Sequence, residues 1–422
     1  MDTTGLKSSL NPFADICVNL LRKSRKTLKI LILTPSFAPL IHPRAHRWTA
    51  ITRHWASLGH EVHVVCARLP GEKDEQHKGN LHIHRTGYAS LHELLFGWLG
   101  KTREKGRVGQ LPGKPGKTMF WATKAYHFLW QNLYFPDDAV LWQRSAFQKA
   151  VELLEKNSFD RLITVSLPFS SHMVGWKLKR HFPKIHWLAD IGDPFSLQAK
   201  PLNNWRLRSL KWEKKVLETA DATVVTTPAT RELYASEFGN KAVEKMRVVP
   251  PLLDPPWNEK STPSVLDGVL RLGYFGAFYA GVREPHLLFG LYDDLLIQGR
   301  DFELHWYGNV PAEAWKKIET RPFFKVHGFQ SRETAREAMT RMDVLINVGN
   351  STTWQLPSKV VEYYASGKPV LHLAVVKSDA FEQFFEGTGR LISDLSEKVF
   401  AKEADTYTER FEVEAISRVY LD

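Results

Sequence analysis

Apolar runs and amphipathic stretches alternate along most of the chain. LKILILTP (28–35) is almost continuously apolar and predicts a buried strand. RAHRWTAITRHWASLGHEV follows with a helical period, Trp48, Ile51, Trp55 and Leu58 recurring at three- and four-residue steps. Gly59 stops that helix, and EVHVVCA is the next strand. A strand, a helix and a second strand in this order predict a βαβ unit with a parallel sheet. The rhythm returns with RLITVS, IHWLADI, ATVVTT and MRVVPPLL as strands. PFSSHMVGWKLKRHF, WRLRSLKWEKKVLETA and ATRELYASEF are the helices between them.

A connector with five prolines, PPLLDPPWNEKSTPS, then interrupts the pattern. A second set of strands follows: LRLGYFGAFY, FELHWYG, FFKVHGF, DVLINVGN and GKPVLHLA. The fold class predicted is α/β, two doubly wound parallel-sheet domains facing across a cleft. Ligands bind at the C-terminal strand edges of such sheets. The divisions expected are an appendage over 1–28, an N-terminal domain over 29–250, a linker over 251–268 and a C-terminal domain over 269–404. Residues 405–422 are expected as a last helix that packs back on the N-terminal domain.

Two segments stand outside the rhythm. Residues 97–135 form an insert in which seven Lys/Arg and one Glu lie between Lys101 and Lys124, flanked by Trp98, Phe120, Trp121, Phe128 and Trp130. That mixture suits a lipid headgroup interface; it reads equally as a Gly-rich loop beside an ordinary packed helix. In the appendage, Ile16–Leu21 leads into Arg22, Lys23, Arg25 and Lys26, either a basic amphipathic helix on anionic lipid or a solvated tail.

Composition narrows the partners. The 422 residues carry a net charge of +11, which favours anionic partners. No nucleic-acid recognition motif accompanies the charge, so nucleic acid is not expected. Cys17 and Cys66 are the only cysteines, so neither a disulfide framework nor a Cys/His zinc spacing is present, and a reducing, cytoplasmic compartment is expected. No signal peptide or membrane span is evident in the sequence. Peripheral contact at the inner face of a membrane stays open.

The candidate chemistry begins at LPSKVVEYYASGKPVL (356–371). Pro357 suits a first helical position, and Gly367 suits the end of the helix. Lys359 would then lie in a first turn, where the dipole is positive. A phosphate there would reverse the sign of that repulsion, with Ser358 and Lys359 converging on it. Glu362, placed just beyond that turn, could accept hydrogen bonds from a ribose diol. A plain Lys359–Glu362 surface pair explains the spacing equally well. LRLGYFGAFYAGVREPHLL supplies a second constellation: Gly276 and Gly281 permit close backbone approach, and Arg283 stands at or near a helix start. Arg283 and Lys359 together read as a diphosphate clamp.

At these residues the chain resembles a known family. GYFGAFYAGVREPHLL and PSKVVEYYASGKPVL resemble the nucleotide-sugar domain of family 4 (group 1) GT-B glycosyltransferases. TPSFAPLIHPRAHRWTAITRHWASLGHEVHVVCA, SLPFSSHMVGWKLKRHFPKIHWLADIGDPFS and KKVLETADATVVTTP resemble their N-terminal half, in the branch that builds bacterial surface polysaccharides. The resemblance covers roughly residues 28–390, with 97–135 poorly matched. It implies a retaining, metal-independent transferase with no cofactor, using a nucleoside diphosphate sugar and a lipid-linked or polysaccharide acceptor. Arg283 and Lys359 would hold the diphosphate, Glu362 the ribose, and Gly308 and Gly328 would lie beside the base.

Two departures matter. Trp354 occupies the position where many relatives carry a second glutamate, which leaves Asn350, Ser351, Thr352 or backbone groups for the sugar. Many relatives also place a histidine after the strand read here as IHWLADI, where this chain has Asp190 and Asp193. Asp193 or His172 could orient the acceptor hydroxyl or the sugar. Asp193 reads equally as a turn residue, and His172 as a packed one. Arg44 and Arg47 read either as cleft-facing or as a solvated helix start. Two other functions fit the same pattern: a non-catalytic nucleotide-sugar binder or scaffold, and a nucleotide-sugar epimerase.

Overall fold

The structure is a computed structural model. It describes residues 26–40, 42–89, 134–198, 201, 203–260, 268–395 and 406–421. The insert 97–135, apart from its last two residues, and residues 1–25 of the appendage lie outside them. The chain forms two compact units, one containing residues 26–254 and 416–421, the other residues 255–415.

The N-terminal unit is built on an eight-stranded sheet. Its strands are β1 (Lys29–Leu33), β2 (Glu61–Cys66), β3 (Glu75–Lys78), β4 (Leu81–Arg85), β5 (Arg161–Val165), β6 (His186–Gly192), β7 (Ala222–Val225) and β8 (Met246–Val248). Their order is β3-β4-β2-β1-β5-β6-β7-β8. All neighbours pair in parallel except β3 with β4. Leu31, Leu33, Leu162 and Ala189 are fully buried within the core, which explains the continuous apolar runs: helices cover both faces. The order reverses between β1 and β5, the topological switch point where α/β sheets bind ligands.

The helix Pro43–Ser57 follows β1. The His42 side chain caps it by accepting from the Arg44 N–H, and Pro43 occupies the first turn. Trp48, Ile51 and Trp55 are buried as their spacing predicts. Leu58 departs from the predicted stripe: it is the C-cap and 58% exposed, because the chain turns away at Gly59 (φ +92°).

The C-terminal unit has a six-stranded, all-parallel sheet. Its strands are β9 (Leu270–Phe275), β10 (Phe302–Tyr307), β11 (Phe324–Gly328), β12 (Val344–Val348), β13 (Val370–Leu373) and β14 (Leu391–Ile392). The order is β11-β10-β9-β12-β13-β14, with its switch point between β9 and β12.

The Pro-rich connector is held on both sides. Pro250 O accepts from Arg47 in the N-terminal unit. Pro255 O, Pro256 O and Glu259 accept from Arg336, whose guanidinium also lies over the Trp257 ring. The segment expected as one last helix is instead a 3-10 turn, Thr406–Phe411, and a short helix, Val413–Arg418. Phe411 packs on Tyr364 and Phe384 in the C-terminal unit. Residues 416–421 join the N-terminal unit, where Tyr420 lies edge-on to Trp48 and Trp55.

Candidate functional site

The C-terminal edge of the second sheet gathers most of the predicted residues. Three strands carry an aromatic residue and a glycine at their ends: β9 and β10 end just before the glycine, at Phe275–Gly276 and Tyr307–Gly308, and β11 ends in His327–Gly328. The Phe275 and Tyr307 rings stack at 4.5 Å, and Tyr307 and His327 at 4.1 Å. The glycines run alongside. Gly276 N–H donates to Tyr307 O, and Gly308 N–H donates to Gly328 O at 2.8 Å. Gly308 has φ +142°, and a Cβ there would meet Gly276 O at 2.0 Å. These strand ends therefore approach more closely than a side chain allows.

Arg283 lies over this edge. Its guanidinium is 3.6 Å from where a Gly276 Cβ would stand, and its Nε donates to Asn350 Oδ1 at 3.1 Å. Arg283 stands near a helix start rather than at it. It closes a tight loop in which its backbone pairs with Tyr279, three residues ahead of the helix His286–Ile297. Gly281, at φ +77°, makes that loop turn. Its cation is thus placed by a loop and the Asn350 amide rather than by a helix dipole. Ser351 ties the two loops further, its N–H donating to Val282 O and its hydroxyl to Gly281 O. Asn350 and Ser351 are therefore committed to loop structure.

The helix after β12 also differs from its predicted bounds. It runs Val360–Ser366, so Lys359 is its N-cap and Glu362 lies inside the first turn. Val360 N–H bonds Pro357 O, which makes Ser358 and Lys359 a lead-in turn. Gly367 ends the helix as predicted, in the left-handed conformation. Tyr363 locks the helix to the sheet: its hydroxyl accepts from Phe275 N–H and donates to Ile346 O.

Glu362 is buried rather than part of a surface pair. Its Oε1 accepts from Arg332 Nε at 2.8 Å and lies 3.6 Å from Lys359 Nζ. Its Oε2 is buried with no hydrogen-bond partner. Burial pushes this carboxyl up, but Lys359 and then Arg332 outweigh burial and hold it below the usual carboxylate range. The result is an ionised buried acid with one unused oxygen. Lys359 is about a third exposed, and Ser358 is exposed on its turn. Arg332 escaped the sequence reading. The one signal for it was a basic residue beside a capping serine, Ser331–Arg332, shortly after a strand-end glycine, echoing Ser358–Lys359.

The remaining predicted residues lie in the N-terminal unit. Asp193 follows β6 and is half-buried. Burial works against the Arg44 charge, but the carboxylates of Asp190 and Asp193 outweigh it and hold the guanidinium charged. Arg44 donates to Asp190 Oδ2, which also accepts from Trp48 Nε1 at 2.8 Å. The Arg44 guanidinium occupies the space beside Gly192 that a Cβ would need. Arg47, read as cleft-facing or solvated, is instead buried. It donates to Pro250 O and the Tyr420 hydroxyl and so fastens the C-terminal segment. His172 is fully buried at the start of the helix Ser170–His181. Its Nδ1 shares a 2.7 Å hydrogen bond with Thr164 Oγ1, and its Nε2 is buried without a partner. Burial, then the Arg44 charge, pulls its pKa down to about 3, so the imidazole is neutral at pH 7.

Residues 45–251 match the family model described as "Glycosyl transferase 4-like domain". No curated protein matches the chain by sequence. Among solved structures, sucrose-phosphate synthase from Thermosynechococcus elongatus superposes with a TM-score of 0.56 at 16% identity, over 94% of this chain and 90% of that one. WaaG, a glycosyltransferase involved in lipopolysaccharide biosynthesis, gives 0.53 at 11% identity, over 93% and 91%. The catalytic domain of starch synthase IV from Arabidopsis thaliana, bound to ADP and acarbose, gives 0.52 at 10%, over 93% and 95%. These likenesses show the fold, two mostly parallel α/β sheets in the GT-B class. With the match over residues 45–251, they show a glycosyl transferase 4-like domain within a chain of GT-B fold.

Proposed function

We propose that the protein is a retaining hexosyltransferase that moves a sugar from a nucleoside diphosphate donor to a lipid-linked or polysaccharide acceptor. The carrying observation is Glu362: buried, held ionised by Lys359 and Arg332, and left with one oxygen unused beside the switch point of its sheet. A ribose diol offers the two donors such an oxygen can accept. Arg283 and Lys359 would bind the diphosphate. As the bond from the anomeric carbon to the phosphate oxygen breaks, negative charge grows on the diphosphate, and fixed cations stabilise it. The two cations suffice for that task, so the reading assigns no metal to the reaction. Gly276, Gly308 and Gly328 leave their strand ends bare for the base and the phosphates. Asp193, beside Arg44, is the group assigned to orient the acceptor hydroxyl. The acceptor class and a place at the cytoplasmic membrane face rest on the basic-aromatic sequence of 97–135 and the charge of +11. Among the described residues, no helix is long and apolar enough to cross a membrane.

The test is thermal unfolding against UDP, GDP, ADP, dTDP and CMP. A ligand at ~100 times its dissociation constant adds roughly 2.7 kcal/mol, a shift of about 5–10 °C. One nucleotide should shift the wild type and leave Lys359→Ala and Glu362→Ala unmoved. No shift with any of them would sink the donor assignment. Trp354, only 6% exposed, offers no acid to the donor sugar and favours a second reading, a non-catalytic binder. Donor binding without turnover on any lipid or glycan acceptor would move that reading ahead.

A further inference from the structure

One edge of the first sheet carries a group of titratable side chains that glycosyl transfer does not use. Glu61 and His63 lie on β2, His82 and His84 on β4, and Glu75 and His77 on β3. His63 is in register with His82 in parallel pairing, and His82 with His77 in antiparallel pairing. Ligand atoms of Glu61, His63 and His82 all lie within 4.8 Å of one another. The His63 and His82 rings stack at 4.5 Å.

The hydrogen bonds behind this trio arrange it. Glu75 Oε2 bonds His84 Nδ1, His84 Nε2 bonds His63 Nδ1 at 3.0 Å, and His63 Nε2 meets Glu61 Oε1 at 2.9 Å. That relay has three contacts but two neutral rings, and each neutral ring supplies one N–H. One contact is therefore a proton short. His63 Nε2 and Glu61 Oε1 form the outer end of the relay, beside the Lys29 ammonium, and are the pair that a cation can bridge. His82 is set up in the same way: its Nδ1 is engaged by His77 Nδ1 at 2.7 Å, which leaves Nε2. Each imidazole thus has its other nitrogen anchored by a further side chain, the arrangement by which proteins orient metal-binding histidines.

We propose that Glu61, His63 and His82 bind one divalent transition-metal ion of the Zn²⁺ type, at a site separate from the donor residues. Two imidazoles and a carboxylate suit such an ion, with bonds of about 2.0–2.2 Å and a fourth position left to water. Around a tetrahedral ion those atoms stand about 3.4 Å apart, so the stacked His63 and His82 rings must swing well out of parallel to aim both nitrogens at one ion. Lys29 must yield, because its ammonium now holds Glu61 Oε1 at 2.6 Å. The expectation of a metal-free chain therefore applies to the transfer reaction only.

The second sheet holds an internal control. Glu303 and His305 on β10 repeat the Glu-x-His pattern, and His305 bonds His327 at 3.0 Å with rings stacked 6° from parallel. The residue in register with His305 is Lys325, where His63 faces His82. Its ammonium stands 3.7 Å from Glu303. That group carries a lysine at the position of His82 and so lacks the third ligand, and no metal is expected there.

The experiment uses full-length, untagged protein stripped with a chelator, Co²⁺ as an absorbing probe, and Zn²⁺ titrated by calorimetry. One ion per chain is expected, with visible Co²⁺ bands abolished by Zn²⁺. Glu61→Gln and His82→Gln should each weaken binding at least ~10-fold, and Lys29→Met should tighten it. His305→Gln should change nothing. Wild-type protein that binds no ion would overturn the proposal even if the variants fail to fold, leaving the histidines bridged by protons alone. Binding that survives Glu61→Gln and His82→Gln in folded protein, or is lost in His305→Gln, would overturn it as well.

Discussion

The ammonium of Lys359 stands 3.6 Å from a carboxylate oxygen of Glu362, one side chain a third exposed and the other buried. At that distance the contact is a charge interaction, and the hydrogen bond to the acid comes from Arg332. Lys359 can therefore turn toward an incoming phosphate without leaving Glu362 unpaired.

Removing Arg332 has a different consequence. Arg332→Ala takes away the hydrogen-bonding partner of a buried carboxylate, which typically costs 3–5 kcal/mol. About 3 kcal/mol is expected here, since the Arg332 side chain is 24% exposed. Urea unfolding of the variant measures it. A loss under 1 kcal/mol would mean that Lys359 alone holds the acid.

Acid should reveal the same carboxylate. Its folded pKa is depressed from 4.5, so its contribution is complete above that value and is lost as pH falls through the lower folded value. Glu362→Gln should therefore flatten the fall of stability below about pH 4.5 relative to the wild type. Parallel stability curves from pH 6 to pH 3 would contradict the assignment.

Gly308→Ala places a methyl 2.0 Å from a carbonyl oxygen at φ +142°. Strain of this kind costs about 1–3 kcal/mol, and the overlap adds a similar amount. Nucleotide-induced stabilisation should disappear with it. Gly276→Ala meets side chains rather than backbone, the Tyr274 hydroxyl at 2.9 Å and its Cζ at 3.1 Å, with no left-handed backbone, and should cost less. Melting temperatures of the two variants, ranked in the reverse order, would refute the close-approach argument.

His172 should not titrate near neutrality. Burial and Arg44 bring its pKa to about 3, so its ring signals should hold still between pH 8 and pH 5 in NMR. Because that value lies below the unfolded 6.5, His172 favours folding above pH 6.5, and the advantage is lost as pH falls toward 3. A ring that titrates near pH 6.5 would restore His172 as a candidate proton carrier.

Much of this architecture is legible before any coordinates. Strands such as β1 and β12 lie under helices on both faces, so they appear as unbroken apolar runs. Gly276 could be found because close backbone approach demands one residue type, whereas Gly308 entered through the family resemblance. Arg332 could not, because it meets Glu362 across 30 residues and two turns of topology. The β3–β4 hairpin was illegible for another reason: EQHK is an exposed edge strand with no apolar alternation, so periodicity has nothing to register. Burial of His172 and Arg47 is decided by what packs over them, the second by a tyrosine 373 positions away.

The passage of the chain between its units bears on how the protein can be dissected. The backbone leaves the first unit at Asp254 and returns to it at Ile416. In topological terms the second unit is an insertion, not an appended domain. A fragment ending at residue 254 would lack Tyr420, leaving the Arg47 guanidinium with Pro250 O alone and opening the face between Trp48 and Trp55. Chimaeras that exchange the second unit should be joined at 254/255 and 415/416, with the recipient's final residues retained. A single proteolytic nick near Pro255 would leave the two units covalently connected through the other crossing.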